Sequence, residues 1–224
     1  MNVIILAGGR GTRLPISARD IPKPLVEVHG KPMLEHQLER LATFGETSIR
    51  LALGFRAEAI ASFLKSRGYP YEYVVEPAAL GTGGAVRFAM GDAPGPFLIL
   101  NGDVAADFDY EKILAGYERG HGLIVSYWKE DARDFGLLRI EDDRIREFLE
   151  KPTTLQSGYI NAGCYILHRQ DLDDMPEGHF MLERDVFPGL AVRGRLKTVI
   201  HKGFFEDLGT EERLAQVRSG PRLW

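Results

Sequence analysis

The chain is poor in the features that mark several protein classes. It has one cysteine, Cys164, so no disulfide can close within it, which agrees with a reducing compartment. Cys164 sits in the apolar run Ala162 to Leu167 and reads as a buried core thiol. No apolar stretch approaches the ~20 residues of a membrane span. The first apolar run, Val3 to Leu6, has no basic segment before it and is too short for a secretory signal, so it reads as a strand. Lysine and arginine number 28 against 32 acids, a net charge of −4. No basic excess therefore points to nucleic acid or to an anionic membrane. The six histidines are scattered without metal-ligand spacing, and the two tryptophans, Trp128 and Trp224, have no stacking context. A cytoplasmic protein with neither nucleic acid nor membrane as partner is expected.

What is present is glycine in particular places. Val3 to Leu6 leads into Ala7-Gly8-Gly9-Arg10-Gly11-Thr12-Arg13-Leu14. Glycines let such a loop turn sharply and bring its backbone close to a ligand, and successive N–H groups can surround phosphate oxygens. Arg10 and Arg13 add fixed positive charge. A second glycine-rich stretch, Leu80-Gly81-Thr82-Gly83-Gly84-Ala85, runs into an apolar helix and reads as another anion-binding helix start. Pro22-Lys23-Pro24 is stiff, because each proline fixes its own φ and restricts the residue before it, so Lys23 is held on a rigid turn.

The rest alternates. Leu25 to Val28 reads as a short strand, and Pro32 opens a helix with Leu34, Leu38 and Leu41 on one face. Ser48 to Leu53 is a strand and Arg56 to Arg67 a helix closed by Gly68. Tyr71 to Val75 is a strand, and the aromatics Tyr69, Tyr71 and Tyr73 at period two read as its core side. Phe97 to Leu100 is a fully apolar strand that ends at Asn101-Gly102-Asp103. Helices are expected over Tyr110 to Arg119 and Met181 to Val192, and strands over Leu123 to Trp128, Tyr159 to Leu167, Leu196 to His201 and Phe204 to Asp207. Asp142-Asp143 turns a hairpin between Gly136 to Ile140 and Ile145 to Leu149, and Thr210 caps a last helix. This is an α/β chain with a mainly parallel sheet and helices on both faces. The 224 residues suit a single domain with no linker or repeat. In such sheets ligands sit beyond the carboxyl ends of the strands, where the first glycine loop and Asp103 would meet.

Taken in order, Leu6 to Leu14, Pro22-Lys23-Pro24, Leu80 to Ala85, Asn101-Gly102-Asp103, Glu150-Lys151-Pro152, Asn161-Ala162-Gly163 and Asp207-Leu208-Gly209-Thr210 resemble the motifs of the sugar-1-phosphate nucleotidyltransferases. The resemblance implies a three-layer, Rossmann-like fold, with residues 1–110 as a nucleotide-binding half and 111–224 as a sugar-phosphate-binding half of one domain. The chain stops soon after its last helix, so the C-terminal β-helix common in the family is expected to be absent. The implied reaction is attack of a sugar 1-phosphate oxygen on the α-phosphate of a nucleoside triphosphate, with pyrophosphate leaving. Such chemistry needs charge neutralisation and alignment.

The resemblance also implies roles. Asp103 and Asp207 would hold Mg²⁺, which favours one or two carboxylates together with phosphate oxygens and water. Arg13 would bind the departing pyrophosphate, Lys23 the α-phosphate and Lys151 the sugar phosphate. Leu6, Ala7, Gly8, Gly9, Gly11, Thr12, Gly81, Thr82, Asn101 and Gly102 would line the nucleotide. Glu150 and Asn161 would meet sugar hydroxyls, and Gly163 would let the sugar approach the backbone. Glu183 and Asp185 are further candidates on that side, with a helix-surface reading equally good. Glu76 falls where the family reads the base. A carboxylate accepts only, and guanine offers N1–H and N2–H side by side, which favours GTP. Within the family the chain most resembles the D-glycero-D-manno-heptose 1-phosphate guanylyltransferases. The mannose-1-phosphate guanylyltransferases and the short N-acetylmuramate 1-phosphate uridylyltransferases share much of the pattern. A homodimer is compatible with the reading. Two alternatives start from the same residues. One is a catalytically silent nucleotide-sugar-binding regulator, against which stands the intact set Arg13, Lys23, Asp103, Lys151 and Asp207. The other is a dinucleotide-dependent dehydrogenase, which lacks its acidic residue at the usual distance.

Overall fold

The computed structural model describes residues 1–9, 21–45, 48–93 and 95–222. Strand β1 (Asn2–Ala7) is apolar on both sides: Val3, Ile5 and Ala7 pack into one layer, Ile4 and Leu6 into the other. Such a strand belongs in the middle of a sheet covered on both faces. A 3₁₀ turn at Lys23–Leu25 is followed by the hairpin of β2 (Glu27–Val28) and β3 (Lys31–Pro32), which feeds helix α1 (Met33–Thr43). Then come β4 (Ile49–Leu53), α2 (Ala57–Arg67), β5 (Glu72–Val75), α3 (Gly81–Met90) and β6 (Phe97–Asn101). The second half has β7 (Val104–Ala106), α4 (Tyr110–Ala115), β8 (Gly122–Lys129), β9 (Gly136–Glu141), β10 (Arg144–Glu150) and β11 (Gly158–Leu167). A π turn at Leu182–Val186 enters α5 (Phe187–Val192), followed by β12 (Leu196–Ile200), β13 (Phe205–Asp207) and α6 (Glu211–Ser219).

Among the described residues nine strands form one sheet in the order β5-β4-β1-β6-β11-β8-β12-β10-β9. β5, β4, β1 and β6 are parallel neighbours, as are β8 and β12. β11 runs antiparallel between β6 and β8, and β10 antiparallel between β12 and β9. The parallel part lies where helices connect the strands. The β9–β10 reversal comes from a tight hairpin with Asp142 at φ +57°, a connection that only antiparallel strands can use.

Two helical layers cover the sheet. Leu34, Leu38 and Leu41 of α1 join Ile60 and Leu64 of α2 against Val3, Ile5, Leu51 and Leu53. Val86, Ala89 and Met90 of α3 join Phe187 and Leu190 of α5 against Ile4, Ile99 and Tyr165 on the other face. Each fully buried leucine or isoleucine stabilises the fold by roughly 2 kcal/mol.

Several expectations change in detail. Leu25 to Val28 is mostly turn, because Pro22 and Pro24 favour a 3₁₀ bend, and only Glu27–Val28 pairs. The helix expected over Met181 to Val192 starts as the π turn. Pro188, at the start of α5, has no N–H to continue a regular ladder. The helix from Tyr110 ends at Ala115, four residues early, where Gly116 follows. β5 is the sheet edge: Tyr69 and Tyr71 pack on the core, but Tyr73 is 46% exposed. β7 was not anticipated. It begins directly after Asp103 and pairs with β13, the strand that ends at Asp207.

Candidate active site

Because β1, β4, β5 and β6 are parallel, their carboxyl ends open on one edge, onto a cleft of about 560 Å³. Leu6, Ala7, Gly8, Gly9, Glu76, Gly81, Thr82 and Asn101 all line it, together with Lys23 and Asp103. Gly102 lies beneath: its N–H donates to the Leu6 carbonyl at 2.9 Å, and a Cβ there would meet that oxygen at 2.7 Å. Gly11, Thr12 and Arg13 lie outside the described residues.

Glu76 follows directly on β5. Its Oε2 accepts from the Leu80 N–H at 2.9 Å, and a Cβ on Gly8 would stand 2.5 Å from its Oε1. A side chain at Gly8 would push the Glu76 carboxylate aside and crowd the Gly54 backbone, 3.2 Å away. Burial raises the Glu76 carboxyl above its ordinary range, and the Leu80 N–H pulls the other way.

The glycines at the start of α3 do a different job from the one expected. The N–H groups of Gly83 and Gly84 donate to the Phe180 carbonyl at 3.0 and 3.2 Å. A Cβ on Gly81, at φ +71°, would meet the same carbonyl at 2.5 Å. The helix start is therefore filled by the chain around Phe180, and those two N–H groups are not free for an anion. Thr82 keeps a place in the cleft wall. Its hydroxyl donates to Glu183 Oε2 at 2.6 Å and accepts from the Leu182 N–H at 3.0 Å.

Asp103 and Asp207 meet through β7. β13 pairs with it antiparallel, with Asp207 opposite Val104, and the Leu208 N–H donates to the Asp103 carbonyl at 2.8 Å. Burial raises the Asp207 carboxyl, and the charge of Asp103 raises it further; Arg213 and the Gly209 N–H oppose this. Lys23 Nζ sits 2.8 Å from Asp103 Oδ2, and Arg213 contacts Asp207 Oδ2 at 3.1 Å. Among the described residues no group of three or more His, Cys, Asp or Glu is arranged to hold a metal alone. Two convergent carboxylates, one desolvated and repelled by the other, fit a hard divalent cation that takes its remaining oxygens from phosphate and water.

Arg213 escaped the sequence reading. It bridges Asp207 to Asp134 at 2.7 Å and lies over the Phe135 ring. The signal was a basic side chain in the first turn of α6, where the helix dipole disfavours it.

Glu150, Lys151, Asn161 and Gly163 are not among the residues lining the cleft. Glu150 and Lys151 are linked to it through Glu183, whose raised carboxyl reflects burial first and then the charge of Glu150, whereas Asn161 and Gly163 belong with Tyr165 and Asn101. Lys151 has left-handed backbone (φ +48°), its N–H donates to the Phe135 carbonyl at 3.1 Å, and its Nζ lies 3.1 Å from Glu150 Oε1. Asn161 accepts from the Gly163 N–H and donates to the Tyr165 hydroxyl, both at 2.9 Å. Asn101 and Val104 fill the space where a Cβ of Gly163 would stand, each 2.9 Å from it. Asp185 caps its own turn, accepting from the Met181 N–H at 2.6 Å, so it reads as structural.

Comparison with known proteins extends this picture. The chain is 35% identical over 222 residues to a mannose-1-phosphate guanyltransferase from Aspergillus oryzae, covering 93% of this chain and 61% of that protein. It is 36% identical over 217 residues to the mannose-1-phosphate guanylyltransferase catalytic subunit beta of Drosophila pseudoobscura pseudoobscura, covering 92% and 58%. The chain thus spans about three-fifths of the length of the curated relatives it matches. The crystal structure of HddC from Yersinia pseudotuberculosis complexed with GMP-PN superposes with a TM-score of 0.84 at 32% identity, covering 97% of each chain. The family model described as nucleotidyl transferase matches residues 2–220. With Gly8 and Gly9, the strand-end cleft and the paired aspartates in one frame, this match over nearly all its residues places the chain in the nucleotidyl transferase family.

Proposed function

We propose that the chain transfers a guanylyl group from GTP to a sugar 1-phosphate, with D-glycero-α-D-manno-heptose 1-phosphate as the favoured acceptor. The observation that carries the reading is that Asp103 lines the cleft beside Lys23, while the β7–β13 pairing brings Asp207, which does not itself line the cleft, close enough for the charge of Asp103 to act on it. Mg²⁺ bound by the two aspartates would neutralise the triphosphate. The chain's own groups do the remaining work. The first glycine loop and Asn101 seat the nucleotide. Lys23 moves its hydrogen bonds between Asp103 and the α-phosphate, where negative charge builds as the sugar phosphate oxygen attacks. Arg13 holds the leaving pyrophosphate. Lys151 aligns the sugar phosphate, and Glu150 and Asn161 hold sugar hydroxyls. Both halves, 1–110 and 111–224, act as one domain.

Guanine is supported by Glu76, a cleft-lining carboxylate that can only accept hydrogen bonds, and by the guanylyltransferase names of the relatives. Mannose 1-phosphate is the second reading, favoured by the likeness to mannose-1-phosphate guanyltransferases over 93% of the chain. The heptose reading draws on the same short motifs and on the matched length of the HddC chain.

Pyrophosphate release with Mg²⁺ tests this, crossing GTP, UTP, CTP, ATP and dTTP against heptose, mannose, glucose and N-acetylmuramate 1-phosphates. Turnover with GTP and the heptose phosphate is expected. Turnover with mannose phosphate alone establishes the second reading. Turnover with UTP keeps the reaction and removes the role of Glu76. No turnover anywhere, with a nucleotide-sugar still bound, makes the chain a silent regulator.

A further inference from the structure

We infer that Gln37 is the positioning residue for Asp103, an inference that rests on the reading of Asp103 as a metal-binding carboxylate. Gln37 lies on α1, 7% exposed, beside the apolar stripe of Leu34, Leu38 and Leu41. Its Nε2 donates to the Asn101 carbonyl at 3.0 Å and to the Val104 carbonyl at 2.9 Å. Those carbonyls bracket Gly102 and Asp103. One amide nitrogen carries two hydrogens, and both are used to close the turn that carries the carboxylate.

The turn is held from three directions. β1 holds it through the Gly102 N–H to the Leu6 carbonyl, β13 through the Leu208 N–H to the Asp103 carbonyl, and α1 through Gln37. Only the last contact ties both flanks to a single point. On the far side of the amide, Gln37 Oε1, Arg40 Nε and Asn101 Oδ1 are buried without protein partners, and their residues line a cavity of about 10 Å³. That is the scale of one water, with enough polar partners to hold it. The environment therefore selects a neutral side chain with two donors on one end and an acceptor on the other. Glutamate would set oxygens against two carbonyls, and a methionine would leave both carbonyls buried and unpaired.

A residue acting this way changes how well the site grips the metal, not how tightly the substrates bind. The test compares the full chain with Gln37→Met and with Leu41→Ala, which weakens the same helix away from the turn. Two quantities are read: the Mg²⁺ dependence of pyrophosphate release, and Mn²⁺ binding by electron paramagnetic resonance in the presence of α,β-methylene GTP. Gln37→Met is expected to lower kcat and to weaken Mg²⁺ and Mn²⁺ binding by about tenfold or more. Its KM for GTP and sugar 1-phosphate is expected to stay unchanged. Leu41→Ala is expected to lower Tm and leave the metal dependence as it was. If Gln37→Met fails to fold, Gln37→His, which keeps one ring N–H donor, carries the same measurements. Unaltered Mn²⁺ binding in the Gln37 variant, or an equal loss in Leu41→Ala, overturns the inference. A parent chain that binds no Mn²⁺ also overturns it. A parent chain that binds Mn²⁺ but releases no pyrophosphate overturns the transferase reading instead, and Mn²⁺ binding then decides the role of Gln37.

Discussion

Lys23 and Asp103, 80 residues apart, form an ion pair of 2.8 Å with the lysine side chain only 13% exposed. The lysine comes from a proline-flanked 3₁₀ turn, so its backbone has little freedom to follow the ammonium. The pair holds the cation at the cleft edge before substrate arrives.

Lys23→Met is therefore expected to lower kcat by on the order of a hundredfold, the usual effect of removing one preorganised donor to a charged transition state. The KM for GTP is expected to change much less. Steady-state pyrophosphate release measures both, and a variant with normal kcat removes Lys23 from the chemistry.

Asp103→Asn and Asp207→Asn each remove one charge from the proposed metal site while keeping side-chain size. Loss of several kcal/mol of charge stabilisation corresponds to a fall in turnover of about a hundredfold or more. Circular dichroism is expected to be unchanged, because the β7–β13 pairing uses backbone groups. Near-normal rates in both variants dispose of the proposed metal site.

Glu76→Gln replaces an acceptor-only group by one that also donates. It keeps an oxygen for the Leu80 N–H. The expected outcome is a folded enzyme whose kcat/KM no longer separates GTP from the other triphosphates. An unchanged preference places base reading elsewhere in the cleft.

Glu183 gives a prediction about stability. Burial holds its carboxyl above the ordinary glutamate range, with the charge of Glu150 adding and the Thr82 hydroxyl opposing. A raised carboxyl means the folded chain binds the proton more tightly than the unfolded chain. The stability it contributes is complete below the unfolded value and is lost as pH rises through the folded one. Glutamine does not titrate. Glu183→Gln is thus expected to have the higher Tm at neutral pH, with the gap closing as pH falls towards about 4. Parallel Tm curves for the two proteins across that range would rule out an unusual carboxyl at this position.

The parallel half of the fold was legible because its signals are local. A short apolar run, a glycine and an amphipathic helix repeat through residues 1–101, and the predicted elements are present except that the strand over Leu25 to Val28 shortens to Glu27–Val28. The site motifs were legible for the same reason, as glycines and charges at strand ends. What escaped depends on partners far along the chain. β7 is three residues long and exists because Phe205–Asp207 lies beside it. The glycines of α3 looked like an anion cradle, since no local feature announces that the Phe180 carbonyl fills it. Nothing local to Gln37 marks its role, because the carbonyls it serves are 64 and 67 residues away.

The pairing of β7 with β13 also fixes an order of assembly. The cleft that would take the nucleotide is built mostly from the first 103 residues, whereas the second aspartate comes at position 207. During synthesis the glycine loop, Glu76 and Asp103 emerge long before their last partner. A partly made chain can fold its early strands and form much of the cleft, yet it lacks the carboxylate pair. If the two aspartates hold a metal as proposed, its binding would report that β13 has docked, and the topology itself would keep an incomplete chain from the proposed transfer.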